Sequence, residues 1–141
     1  MMILKFLFGN QALPIKTWHF SLLVYRVLLS GSLFFTHGWK KVVNYEQEIE
    51  HIPDPFGFGG TAVLSLALLA NILAPVLISL GLFTRVAILP ILATTLSGLF
   101  LVHWQDPAAV RDIPLMYSLA FGILFLSGAG SFSLDSKWRN K

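Results

Sequence analysis

The sequence predicts an all-α integral membrane protein, a bundle of four transmembrane helices with both ends in the cytoplasm (N-in/C-in). Three observations carry that prediction. Hydrophobic residues fill 55% of the 141 positions and charged residues only 12%, against about 25% charged in an ordinary soluble domain. A soluble chain this short has too much surface for its volume to hide that apolar area, so lipid must solvate part of it. Four segments stay apolar over the roughly 20 residues that cross a bilayer core. Finally, Lys and Arg are unevenly shared between the two sides that these segments define.

The chain begins with Lys5 and a short apolar run, Phe6-Leu7-Phe8, before Pro14. This stretch lacks the long apolar core and small-residue cleavage site of a secretory leader and reads as an interfacial anchor. The first span covers about residues 18–39, with Trp18 and Trp39 where interface aromatics belong. The connection that follows is closed by Pro53, Pro55, Gly57, Gly59 and Gly60. The second span, about 61–83, holds no charge, and Pro75 inside it predicts a kink. Thr84-Arg85 makes a tight turn into the third span, about 86–104, and Gln105-Asp106-Pro107 starts the next connection. The fourth span covers about 113–132, with Pro114 in its first turn, where a missing N–H costs little.

Orientation follows from the cations. One side carries Lys5, Lys16, Arg85, Lys137, Arg139 and Lys141, the other Lys40, Lys41 and Arg111, and six against three puts both ends in the cytoplasm. The same balance reads as a multi-pass protein of a plasma membrane. A formal charge of +3 with no basic stripe on a soluble surface excludes a nucleic-acid binder. Without cysteine there is no disulfide, thiolate metal site, thiol chemistry or Cys-ligated cluster.

Arg26 is the most informative residue. It follows Trp18 by eight residues, about 12 Å along a helix, which is inside the hydrocarbon. A charge there costs about 2.5–3.5 kcal/mol on insertion scales and faces a bundle interior, a cavity or a partner unless the side chain snorkels back to the interface. Ser30, Leu33, His37 and Lys41 share its helix face, with Leu28 and Phe35 turned to lipid. Asn71 sits near mid-depth in the second span, close to the level of Arg26, where its oxygen is suited to accept from the guanidinium. It serves equally as interhelical glue. At the other membrane face His37, His103 and Asp112 read as a convergent cluster suited to moving protons or bonding a carbonyl. No metal-motif spacing accompanies them, and no metal is assigned. Tyr117 needs a hydrogen-bond partner if buried. Thr94, Thr95, Ser97 and Gly98 predict close helix packing.

The motifs, taken together, resemble the DoxX family of small four-helix membrane proteins. Arg26-Val-Leu-Leu-Ser30-Gly31 is followed by His37-Gly38-Trp39-Lys40-Lys41, similar to the family's Arg-x-x-x-Gly and His-Gly-x-x-Lys, with the first glycine one residue late. Gly81-Leu-Phe-Thr84-Arg85, Val102-His103 and Gly128-Ala-Gly130-Ser-Phe-Ser133-Leu134-Asp135 resemble its later motifs, and the likeness runs from about Leu22 to Asp135. Asn71 stands where the family often has glutamate, so an Arg–Glu pair is replaced by one that does not neutralise charge.

The resemblance implies a membrane subunit or partner of a quinone-linked oxidoreductase. A quinone would bind between helices, its carbonyls held by Arg26 and Asn71 or by His37 and His103 with Asp112 beside them, its ring against Phe34, Phe100 and Tyr117, and its electrons supplied by a partner. The alternative is a non-enzymatic adaptor or assembly factor that grips membrane or periplasmic proteins through the first connection. A permease would require a homo-oligomer, because one bundle this small leaves little room for a pore.

Overall fold

A computed structural model of the chain describes residues 13–139, and every described element is helical. The interfacial anchor expected over residues 1–14 lies almost entirely outside the described residues. Four helices are long and apolar enough to cross a membrane: α1 (Ile15–Val43), α3 (Gly60–Leu80), α4 (Thr84–Val102) and α5 (Ala108–Ser127). A short helix, α2 (Tyr45–His51), lies in the first connection, and α6 (Leu134–Arg139) closes the chain. The protein is therefore an integral membrane protein. Leu28, Phe35, Ile123 and Leu126 are among the large apolar side chains left exposed along the spans, where hydrocarbon is the solvent.

The expected boundaries move for identifiable reasons. Span α5 starts and ends five residues earlier than 113–132. Pro107 sits at its start, and Gly128, at φ 76°, turns the chain out of the helix. Pro114 therefore lies inside α5 rather than in its first turn, and Ser118 Oγ donates to the Pro114 carbonyl. The turn between α3 and α4 is Gly81–Phe83, and Thr84-Arg85 already belong to α4. Gly81 at φ 69° ends α3 with its N–H on Ile78 O and the Leu82 N–H on Leu77 O, a left-handed stop that favours glycine.

Three spans are interrupted by a π-helical turn, in Phe34–Gly38, Leu69–Leu73 and Gly98–Val102. Each closes with an i→i+5 bond: Trp39 N–H to Phe34 O, Ala74 N–H to Leu69 O, and His103 N–H to Gly98 O. Such turns are rare and frequent at functional sites. In α3 the π turn takes up the disruption expected at Pro75. Proline has no N–H to give the Asn71 carbonyl four residues back, and Gly38 of α1 packs against that freed oxygen. A Cβ at Gly38 would overlap Asn71 O and come within 2.6 Å of Ile72 Cδ1.

The core runs through the middle of the bundle. Leu33, Ala70, Ala74, Ile78, Ala87, Ile88, Ile91, Phe121 and Leu124 are buried together. The alanines let helix backbones approach closely, which matters where lipid removes the hydrophobic drive between helices. Helices α4 and α5 are also joined by a hydrogen bond between the Ser118 and Thr95 hydroxyls at 2.8 Å. The polar face of α1 points inward: Ser30 and Leu33 are buried while Leu28 and Phe35 are exposed.

Candidate functional site

The polar residues singled out in the sequence separate into two groups at opposite ends of the bundle. The terminal end gathers the start of α1, the α3–α4 turn and the segment after α5. The connection end gathers the end of α1, the first connection, the start of α3 and the end of α4.

Arg26 belongs to the terminal end. Its side chain is 1% exposed, and its two terminal nitrogens donate to the Ala129 carbonyl at 2.7 Å and to the Phe132 carbonyl. It does not bond Asn71. The expected pairing fails because the segment after α5 folds back under the bundle and offers backbone oxygens that α3 does not. Asp135 in the same segment accepts from the Phe83 and Thr84 N–H groups at 2.7 and 3.0 Å, capping the start of α4, while its own N–H donates to Gly81 O at 2.9 Å. A Cβ on Gly81 would overlap the Arg26 guanidinium and the Ser133 side chain. Arg85 donates to the Phe125 and Leu126 carbonyls at 3.1 and 3.3 Å, and the Ser131 N–H donates to His19 Nδ1 at 3.3 Å. Arg26, Gly81-Leu-Phe-Thr-Arg85 and Gly128–Asp135 thus form a single hydrogen-bonded knot.

The connection end encloses a cavity of about 660 Å³ reached by all four spans and roofed by the first connection. His37, Asn71, His103 and Tyr117 line it. Two of them, His37 and Asn71, lie in π turns. Asn71 is buried and His37 half-buried, and neither side chain has a hydrogen-bond partner among the described residues. The Tyr117 hydroxyl lies 3.0 Å from Ser32 Oγ and 3.4 Å from Thr36 Oγ1, and its ring meets His37 edge-on at 5.5 Å. The partner that a tyrosine in the bundle needs is therefore supplied by α1.

Asp112 does not join this group. It is exposed, outside the cavity lining, and the carboxylate that meets His103 belongs to Asp106, with Nδ1–H donating at 2.6 Å. Asp106 lies three residues after His103 and stays on its side of the turn, whereas Asp112 is carried away on the first turns of α5. Phe34 and Phe100 are not in the lining either, and Phe100 faces outward, 54% exposed.

Several lining residues escape a reading by sequence. Lys41, which reads alone as an interface residue, lies 4.0 Å from Glu48 across the connection and donates to the His37 carbonyl at 3.4 Å. His51 lines the cavity from α2, with its Nδ1 2.8 Å from Gln47 O. The Pro/Gly punctuation marks the end of the connection but not that it folds over a cavity. Asp54 fixes that fold by accepting from the Gly59 N–H at 2.7 Å and the Phe58 N–H at 3.0 Å. These bonds, Gly59 first, hold its carboxyl below the usual aspartate value. A methyl on Gly60 would overlap the Ile49 carbonyl, so α2 and the start of α3 touch through backbone.

No curated protein and no solved structure matches this chain. A family model described as DoxX matches residues 21–104, from the first turns of α1 to the residue after the cavity-lining His103. That match covers well over half of the sequence and spans both the arginine of the knot and the histidines of the cavity, and the chain belongs to the DoxX family.

Proposed function

We propose that this protein is the membrane partner of a quinone-linked oxidoreductase and that it holds the quinone ring in the cavity at the connection end. One observation carries the reading: a buried amide, Asn71, and a half-buried imidazole, His37, line an open-mouthed cavity large enough for a ring while lacking partners among the described residues. Polar groups at membrane depth are costly without partners, so a ligand carbonyl is the counterpart that suits them.

The roles follow from position. Asn71 donates its amide N–H to a ring carbonyl near the floor. His37, steadied edge-on by Tyr117, donates from the wall. His103, with Nδ1–H engaged by Asp106, keeps Nε2 for the ligand and holds or passes a proton near the connection end of α4. A quinone, when bound, supplies the electron-accepting chemistry, and the electrons come from a partner protein, as this chain has no thiol to carry them. The cation count supports termini in the cytoplasm and family membership suits a bacterial inner membrane, which turns the cavity toward the outer face.

The test is mass spectrometry of the protein after gentle detergent extraction. Wild-type protein retains quinone, and His37→Leu and Asn71→Leu lose it without loss of the folded bundle. Absence of quinone from folded wild-type protein would overturn the reading. The competing reading, a non-enzymatic adaptor, is favoured by exposed Phe56 and Phe58 on the connection. It predicts instead that crosslinks from Tyr45 to Phe58 capture one reproducible protein while no quinone is retained.

A further inference from the structure

The cavity lining is divided by depth. Its polar members His37, Lys41, Glu48, Asn71, His103 and Tyr117 are all buried or half-buried. Its exposed members are almost all apolar: Phe56 at 57%, Phe58 at 62%, Leu66 at 54%, Val110 at 41% and Ile113 at 51%, with His51 the polar exception. A mouth that opened to water would be expected to show polar groups at its rim, with apolar groups further in. This one has the opposite arrangement, which suits an opening onto hydrocarbon.

Part of the rim lies outside the spans and is nevertheless held in place. Phe56 and Phe58 stack with ring centroids 5.5 Å apart. Asp54 ties down the Phe58 and Gly59 N–H groups, Gly57 and Gly59 take positive φ, and Pro53 and Pro55 stiffen the approach. Interface aromatics that merely float at the headgroup level need no such clamp. A ligand chain that must pass one place does.

We propose that this rim is the exit of the ligand's hydrocarbon chain. The ring enters head-first from the bilayer, and the chain lies across Phe58, Leu66, Val110 and Ile113 into lipid. The inference rests on the quinone reading and adds the ligand class: a quinone carrying a long apolar chain, taken from the membrane, rather than a chainless quinone taken from water.

The experiment uses the full chain in phosphatidylcholine nanodiscs and a benzoquinone whose long alkyl chain ends in a diazirine. After irradiation, labelled peptides are mapped with and without excess decylubiquinone. The expected result is competed label on residues 53–66 and 108–116, enriched about tenfold over the other segments, as one bounded site requires. Competed label confined to another segment would show a bound ring with its chain elsewhere and would overturn this inference alone. Label that competitor does not displace anywhere would overturn both the quinone reading and the chain exit.

Discussion

At the terminal end Arg26 finds two carbonyls, Asp135 finds two N–H groups, and Arg85 finds two more carbonyls, all across elements that a short chain must hold together. At the connection end the Asn71 amide and the His37 ring face a cavity with no partner of their own among the described residues. A charged residue deep in a span is by default a candidate for function. Here the most deeply buried charge is a fastener, and the neutral or weakly basic groups in the π turns are the better candidates for ligand binding. Arg26 Nε, Ser30 Oγ and Thr84 Oγ1 are buried without a partner among the described residues, but none of these residues lines the cavity, so they have no ligand space to serve.

That contrast can be broken by experiment. The largest effect is expected from Arg26→Leu. It removes two charge-assisted hydrogen bonds worth about 1.5–3 kcal/mol each and strands the Ala129 and Phe132 carbonyls. The unfolding midpoint in detergent should fall by about 10 °C, while quinone retained per folded molecule stays as in wild type. If stability survived and quinone were lost, the two ends would have to exchange roles.

Gly81→Ala is next. It combines a left-handed backbone with overlap on the Arg26 guanidinium, and strain of this kind costs about 1–3 kcal/mol. The same thermal scan reads it. Asp135→Ala removes the cap of α4 and should cost about 1 kcal/mol, with faster amide exchange at Phe83 and Thr84 as its local mark.

Asn71→Leu should move stability by less than about 1 kcal/mol, the scale of a single interhelical polar contact. It should lower quinone retention about tenfold, the cost of leaving one ligand carbonyl unpaired. A large stability loss with unchanged retention would make Asn71 glue after all.

The smallest effect concerns pH. The carboxyl of Asp54 is held below its ordinary value by the Gly59 and Phe58 N–H groups. Its contribution is therefore present above the unfolded value of about 4 and is lost as pH falls through the lower folded value. Hydrogen exchange at Phe58 and Gly59, corrected for intrinsic pH dependence, should lose protection in that acid range while the spans stay protected. Asp54→Asn should remove the pH dependence.

Much of the fold was legible in the sequence because bilayer thickness is a strict ruler. Trp18, the uncharged stretch before Phe83 and the Gln105-Asp106-Pro107 break place the bounds of the four long helices to within five residues, with α5 the furthest off. The inward face of α1 was legible from helical periodicity alone. The partner of Arg26 was not, because its acceptors are backbone carbonyls, and any residue can present those. Residue order does not separate Asp112 from Asp106 as the partner of His103, because it does not show that α5 starts at Ala108 and carries Asp112 away. The roof over the cavity was hidden because Pro and Gly announce a turn without saying where the turned chain comes to rest.

The π turns have one further consequence. In α1 and α3 the turn itself holds a lining residue, His37 or Asn71, and in α4 it lies within the lining stretch from Pro90 to His103. A π turn contains one residue more than the α turn it replaces, and one residue of helix is about 100° of rotation. Each span therefore changes phase partway along. Loss or gain of a single residue at these points would turn one half of the helix against the other without disturbing the footing, so the chamber wall can be re-dealt by indels as well as by substitution.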